Sequence, residues 1–219
     1  MLSNTESIIA IVGGTGDLGS GLAKAWASAG YKVIIGSRSD ERAKVVANKL
    51  GMGIIGASNI EAASKAAIVV VAVPFSNHKS TLLEIKEVVN GKVVLDVVVP
   101  LVPPSVSKVQ LPPEGSAAEI AQLILGDETR VVSAFHNVGA AKLHSGGKVD
   151  CDVLVFSDNK DARDIVIELA NVISNRGVDG GVLANSAAAE AMTSVLIGIN
   201  RRYKLTGAGI KITGFDSSV

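Results

Sequence analysis

The amino-acid sequence predicts an α/β fold built on a doubly wound parallel sheet, and three observations carry that prediction. Short runs rich in Val and Ile recur between segments of helical periodicity, the pattern of strands covered on both faces by crossover helices. The first run, Ile8-Ile9-Ala10-Ile11-Val12, feeds straight into Gly13-Gly14-Thr15-Gly16-Asp17-Leu18-Gly19 and then into a helix. Hydrophobic residues make up 47% of the 219 and charged residues only 19%, so one large core can form and disorder is excluded.

Each element has its own local signal. Residues 8–12 form a first strand, the glycine-rich turn opens a helix, and Val33-Ile34-Ile35-Gly36-Ser37-Arg38 closes a βαβ unit as a second strand. Residues 40–50 read as a helix and 53–57 as a short strand. Ser58-Asn59-Ile60-Glu61 is a capping box that starts the next helix. Residues 68–73 are a strand ended by Pro74, 77–89 a helix, and 92–96 a strand. Pro100-Leu101-Val102-Pro103-Pro104 can only be a loop, because proline removes a donor and fixes φ. A helix over 116–125, strands over 130–134 and 152–156, a helix over 160–174, a strand near 178–183 and a long helix over 186–203 complete the alternation. Ile210-Lys211-Ile212 is a candidate last edge strand. Because βα alternation is denser up to about residue 136, two regions are expected: 1–136 as a nucleotide-binding domain, and 137–219 as a small α+β subdomain that closes the crevice.

The first βαβ unit is chemically specific. Gly14-x-Gly16-x-x-Gly19 matches the Rossmann-type dinucleotide fingerprint, whose glycines allow a tight turn, let the backbone approach a pyrophosphate and let the helix pack closely. Sites for the unphosphorylated dinucleotide place an acidic residue at the end of the second strand, to hold the ribose 2′-hydroxyl. This chain has Ser37 and Arg38 there, and Arg42 follows in the first turn of the next helix. A hydroxyl and two guanidinium groups suit a 2′-phosphate, which a carboxylate would repel. The expected ligand is therefore NADP(H).

A formal net charge of +0 argues against an electrostatic nucleic-acid binder. No apolar stretch reaches the ~20 residues needed to span a bilayer, and the first residues lack a basic region ahead of their apolar segment, so a cytoplasmic protein without membrane attachment is expected. The single cysteine, Cys151, excludes an internal disulfide and reads as a structural thiol. His78, His136 and His144 lack ligand spacing, so no metal is expected; His78 and His144 read as surface residues.

Three loops fall at the carboxyl ends of the strands after the cofactor unit: residues 73–77, 98–103 and 135–140. They should surround the nicotinamide, and their apolar character suits packing one flat ring against another. His136 is the only polar ring in them and is the candidate catalytic residue, with Asn137 beside it. No Ser/His/Asp series, paired carboxylates or prominent Lys or Tyr marks a general acid. That absence suits a reaction between two cofactors, which needs alignment more than proton donation. The residues leave alternatives open: another NADP-dependent reductase acting on an imine, ketone, flavin or ferric substrate, or a non-catalytic NADP sensor.

The ordered set Gly13–Gly19, Gly36-Ser37-Arg38, Val73-Pro74-Phe75, Pro100-Leu101-Val102-Pro103, Ser116-Ala117-Ala118-Glu119-Ile120, Ser133-Ala134-Phe135-His136 and Gly209-Ile210-Lys211-Ile212 resembles the NADPH-dependent coenzyme F420 reductases over nearly the whole chain. The resemblance implies reversible hydride transfer between NADP(H) and the deazaflavin F420. It also implies that Gly14, Thr15, Gly16, Asp17 and Leu18 hold the pyrophosphate and Ser37, Arg38 and Arg42 the 2′-phosphate. Val73, Asn77, Val102 and Ala140 then lie toward the nicotinamide. Two departures stand out: Phe75 where the family has Trp, and Val138-Gly139 where it has Ile-Pro. The apolar positions Met192, Val195, Leu196 and Ile199 of the last helix are a candidate seam for a homo-oligomer.

Overall fold

Strand and helix alternate through residues 7–215, the part of the chain that the computed structural model describes. In chain order the elements are β1 (Ile8–Val12), α1 (Asp17–Ser28), β2 (Lys32–Ser37), α2 (Asp40–Leu50), β3 (Ile55–Ser58), α3 (Asn59–Lys65), β4 (Ile68–Val71) and α4 (Phe75–Ile85). They continue with β5 (Val93–Asp96), α5 (Ala117–Leu125), β6 (Arg130–Ser133), α6 (Ala140–His144), β7 (Val149–Phe156), α7 (Lys160–Ile173), β8 (Ser174–Gly181) and α8 (Ser186–Tyr203).

One 8-stranded sheet has the order β3-β2-β1-β4-β5-β6-β7-β8. Parallel pairing runs from β3 to β6, and β7 then joins β6 antiparallel. The strand order reverses between β1 and β4, where open α/β sheets bind their ligands. Side-chain alternation sends Ile9, Ile11, Val70 and Leu95 to one face, against Leu22 and Trp26 of α1, Ala43 of α2 and Leu169 of α7. Ala10, Val12, Val69, Val71 and Val94 go to the other, against Ala62 of α3, Leu82 of α4 and Ala118 of α5. Both faces are thus covered, which explains why these strands read as unbroken apolar runs.

Residues 137–219 add β7 and β8 to the same sheet, and α7 packs on the core shared with α1. The Trp26 ring meets Phe135 edge-on at 5.8 Å, and its Nε1–H donates to the Leu169 carbonyl at 3.1 Å. Helix α6 has no expectation in the sequence; it packs on α1 where Gly21 leaves room for Leu143. Helix α4 starts at Phe75, directly after Pro74, and gives way to a 3-10 turn at Lys86–Val88. Strand β8 starts earlier than its apolar residues suggest, because Ser174-Asn175-Arg176-Gly177 is a polar edge paired on one side only. Residues 210–212 do not form the expected edge strand. The Ile210 carbonyl accepts from Asp152 N at 2.7 Å, but Ile212 N donates at 2.8 Å to the Asp152 carboxylate, so a side chain takes the next rung and the ladder stops.

Candidate active site

The site grows from the turn between β1 and α1. Gly13 has φ +75°, and a Cβ there would sit 2.4 Å from Val73 Cγ1 and 2.7 Å from the Ala72 carbonyl. A Cβ on Gly14 would lie 2.7 Å from the Ile11 carbonyl, and one on Gly19 2.8 Å from Gly14 Cα, so both seat the turn against strand and helix. Gly16 differs: its φ is −80° and, among the described residues beyond its chain neighbours, the nearest atom to the place a Cβ would take is the Gly13 carbonyl oxygen at 3.7 Å. The protein itself does not require glycine at this position, but a ligand approaching the backbone would. Helices α2, α3, α5 and α7 are capped by the side chains of Ser39, Ser58, Ser116 and Asn159, whereas among the described residues α1, like α4, α6 and α8, has no side-chain cap, and of these four α1 starts at the glycine-rich turn. Its first-turn N–H groups and positive dipole end are left for an anion. These residues fit a dinucleotide pyrophosphate.

At the end of β2, Ser37 is buried and its Oγ accepts from Ser39 N at 3.2 Å, leaving the hydroxyl proton to donate. Arg38 and Arg42 are exposed, and neither has an ion-pair partner among the described residues. Asp40 and Glu41 share the first turn of α2 with Arg42 and offset its position at the positive dipole end.

From this turn an apolar crevice of about 510 Å³ runs across the carboxyl ends of the strands. Gly16, Asp17 and Leu18 form one end. Val73, Pro74 and Phe75 after β4, Val97 to Val99 with Leu101 and Pro103 after β5, and Phe135, His136 and Val138 after β6 form the walls, together with Ala140 of α6 and Thr193 of α8. All three expected loops contribute. Among the residues expected on the nicotinamide side, Val73 and Ala140 line the crevice. Val102 is 45% exposed outside it, and Asn77 stands half-buried on α4 behind the rim.

His136 lines the crevice but is only 6% exposed; its Nε2 lies 3.1 Å from Ser133 Oγ, and its carbonyl accepts from Thr193 Oγ1 at 2.7 Å. Burial lowers its pKa to about 4, against the opposing charge of Asp96. At neutral pH it is a neutral imidazole able to exchange hydrogen bonds, not a stored proton. Cys151 is buried within β7, and burial, aided by Asp152 and Asp150, raises its thiol to about 11, as suits an inert structural residue. His144 is exposed, as expected, and joins α6 to α1 through the Asp17 carbonyl at 3.0 Å.

His78 corrects an expectation. It is 1% exposed, not a surface residue, because the first turn of α4 folds inward and its Nε2 lies 2.6 Å from Asp96 Oδ2. Asp96, equally buried, also accepts from Val98 N at 2.9 Å. Behind the other wall, the buried carboxylate of Glu190 in α8 accepts from Ala117 N at 2.7 Å and Ala118 N at 3.2 Å at the start of α5. Neither acid lines the crevice. Two signals were available in the sequence: a charged residue closing an apolar strand, at Asp96, and a lone acid on an Ala-rich helix, at Glu190.

A mostly parallel sheet whose strand order reverses, a glycine-rich helix start and an apolar crevice at the strands' carboxyl ends define a fold of the Rossmann class. The profile of the family described as NADP oxidoreductase, coenzyme F420-dependent, matches residues 8–100. The F420-dependent NADP reductase of Methanocaldococcus jannaschii is 41% identical over 222 residues, which cover 95% of this chain and 99% of that protein. The F420-dependent NADP reductase of Methanothermobacter marburgensis is 42% identical over 94% of this chain and 97% of its own. A crystal structure from Arthrobacter sp. FB24 shares the fold, with a TM-score of 0.79 at 23% identity over 95% of this chain and 99% of its own. The chain belongs to the family of F420-dependent NADP oxidoreductases.

Proposed function

We infer that this chain catalyses reversible hydride transfer between NADP(H) and coenzyme F420. The single observation that carries the reading is the continuity of the crevice. It begins at an uncapped helix start with an open Gly16 and runs, walled by apolar side chains, to a neutral His136. Thr15, Gly16, Asp17 and Leu18 would hold the pyrophosphate, with Ser37, Arg38 and Arg42 on the 2′-phosphate. Val73 and Ala140 would then flank the nicotinamide. When bound, the two rings supply the redox chemistry, with hydride moving between nicotinamide C4 and deazaflavin C5. The protein stacks the rings, excludes water with Val97 to Val99 and Leu101, and presents His136 as a hydrogen-bonding group for the polar edge of the second ring.

Residues 137–219 act in this reading as the closing wall, through Ala140 and Thr193. A cytoplasmic homo-oligomer is part of the same proposal. Val195 and Met192 of α8 stay exposed while Leu196 turns into the core, which leaves an apolar face for a second copy. Among the described residues no helix is long and apolar enough to cross a membrane.

The test is direct. Purified protein mixed with NADPH and oxidised F420 should bleach the F420 absorbance. Retained NADPH binding without bleaching at any pH from mildly acidic to mildly alkaline would overturn the assignment.

A further inference from the structure

Phe75 borders two cavities. One is the crevice; the other, of about 310 Å³, lies between α4 and α5 and is lined by His78 and Lys79 on one side and by Glu114, Ile120, Leu123 and Ile124 on the other. The Phe75 ring therefore stands between the crevice and a surface groove rimmed by exposed Lys79, Glu114 and Leu123. The half-buried ring packs on one side against the core that includes Leu82 and Ala118, and the His78 imidazole stacks on it with centroids 6.1 Å apart and planes 27° apart. His78 is fixed in turn by Asp96, through the 2.6 Å contact, and Asp96 is fixed by Val98 N at 2.9 Å. Val98 lines the crevice on the adjacent wall. The chain of contacts Phe75, His78, Asp96, Val98 thus ties the first turn of α4 to the end of β5.

Packing alone would not need these groups. A buried carboxylate–imidazole pair is costly to desolvate and seldom stabilises more than an apolar pair of the same shape. Among the described residues His78 Nδ1 has no hydrogen-bond partner, a further cost that apolar residues would avoid. Directional geometry is what this pair adds, since the carboxylate fixes the ring plane and the ring plane fixes the face offered to Phe75.

We propose that His78, held by Asp96, is a positioning residue that keeps Phe75 as the crevice wall against which the deazaflavin is aligned. The inference rests on the F420 reading. His78→Gln keeps an N–H within reach of Asp96 but removes the stacking face; Phe75→Leu acts on the wall directly and, at a half-buried position, keeps the fold if His78→Gln does not. Either variant should raise KM for F420 about tenfold and lower kcat, while KM for NADPH stays within about twofold. A second readout needs no turnover: in a Phe75→Trp background, acrylamide should quench the introduced indole more strongly once His78→Gln is added, with buried Trp26 as the unchanged internal reference. Folded variants with unaltered F420 kinetics and unaltered quenching would overturn the proposal. A wild-type protein that binds NADPH but never reduces F420 would overturn the functional reading instead, and the quenching comparison alone would then decide whether His78 holds the wall.

Discussion

Glycines that look alike in a motif have different duties at the level of single residues. Gly14→Ala must push a methyl into the Ile11 carbonyl at 2.7 Å, so the folded state suffers, by about 1–3 kcal/mol as for overpacking. Among the described residues beyond its chain neighbours, Gly16→Ala meets no atom closer than 3.7 Å, at a φ that alanine adopts freely. Its stability should change by less than about 1 kcal/mol, because the entropy the unfolded chain loses is offset by alanine being a poorer N-cap for α1 than glycine. NADPH affinity should nevertheless fall, since the methyl fills the approach to the pyrophosphate. Thermal melts paired with NADPH titrations check both halves, and a Gly16→Ala protein with wild-type affinity would show that the backbone does not approach the ligand there. Arg38 gives the complementary case. It has no ion-pair partner among the described residues, so Arg38→Ala should leave stability alone yet weaken NADPH by about 1.5–3 kcal/mol, the worth of a hydrogen bond to a charged group. NADH binding should barely change, and equal losses for the two dinucleotides in calorimetry would contradict a 2′-phosphate contact.

Elements meet at the site through buried acids, and α8 shows how. Glu190 and Thr193 lie one turn apart on that helix, one holding the start of α5 and the other the His136 carbonyl. Burial raises the Glu190 pKa to about 8, the Ala117 and Ala118 N–H groups pull it back, and the charge of Asp96 adds to the rise. A folded-state pKa above the unfolded one favours the protonated form. The associated stability is fully present below about 4.5 and is lost as pH rises through about 8. Glu190→Gln stays neutral throughout and keeps an acceptor for Ala117 N–H. Its melting temperature relative to wild type should therefore climb between pH 6 and 9; a difference that does not vary with pH would refute this account.

Legibility in the sequence followed the same division. Strands such as Ile8–Val12 and Ile68–Val71 were readable because burial on both faces writes a continuous apolar run, and the cofactor turn because steric demands leave only glycine at 13, 14 and 19. Helix α6 was not, since five residues carry too little periodicity, and β8 was not, since a polar edge strand lacks the pattern. His78 read as a surface residue, and Asp96 and Glu190 carried no site reading, for a different reason. Each gains its role from a partner at least 18 residues away, and no local rule couples them.

For the whole molecule, the question is whether residues 1–136 and 137–219 fold as one unit. A single core cluster holds Leu22 and Trp26 of the first region together with Val153, Val166, Leu169 and Ile173 of the second. The Trp26 indole is buried at that junction, edge-on to Phe135 and bonded to the Leu169 carbonyl. Removing the second region would strip this face of its cover and expose β6 as an unpaired strand edge. Shared core of this kind makes separate melting of the halves unfavourable, so unfolding should be one cooperative transition. Trp26 fluorescence, which reports the junction, and far-UV circular dichroism, which reports all helices, should give coincident urea curves. A fluorescence midpoint clearly below the dichroism midpoint would mean that the second region detaches while the cofactor domain stays folded, and the crevice would then be a hinge instead of a fixed cleft.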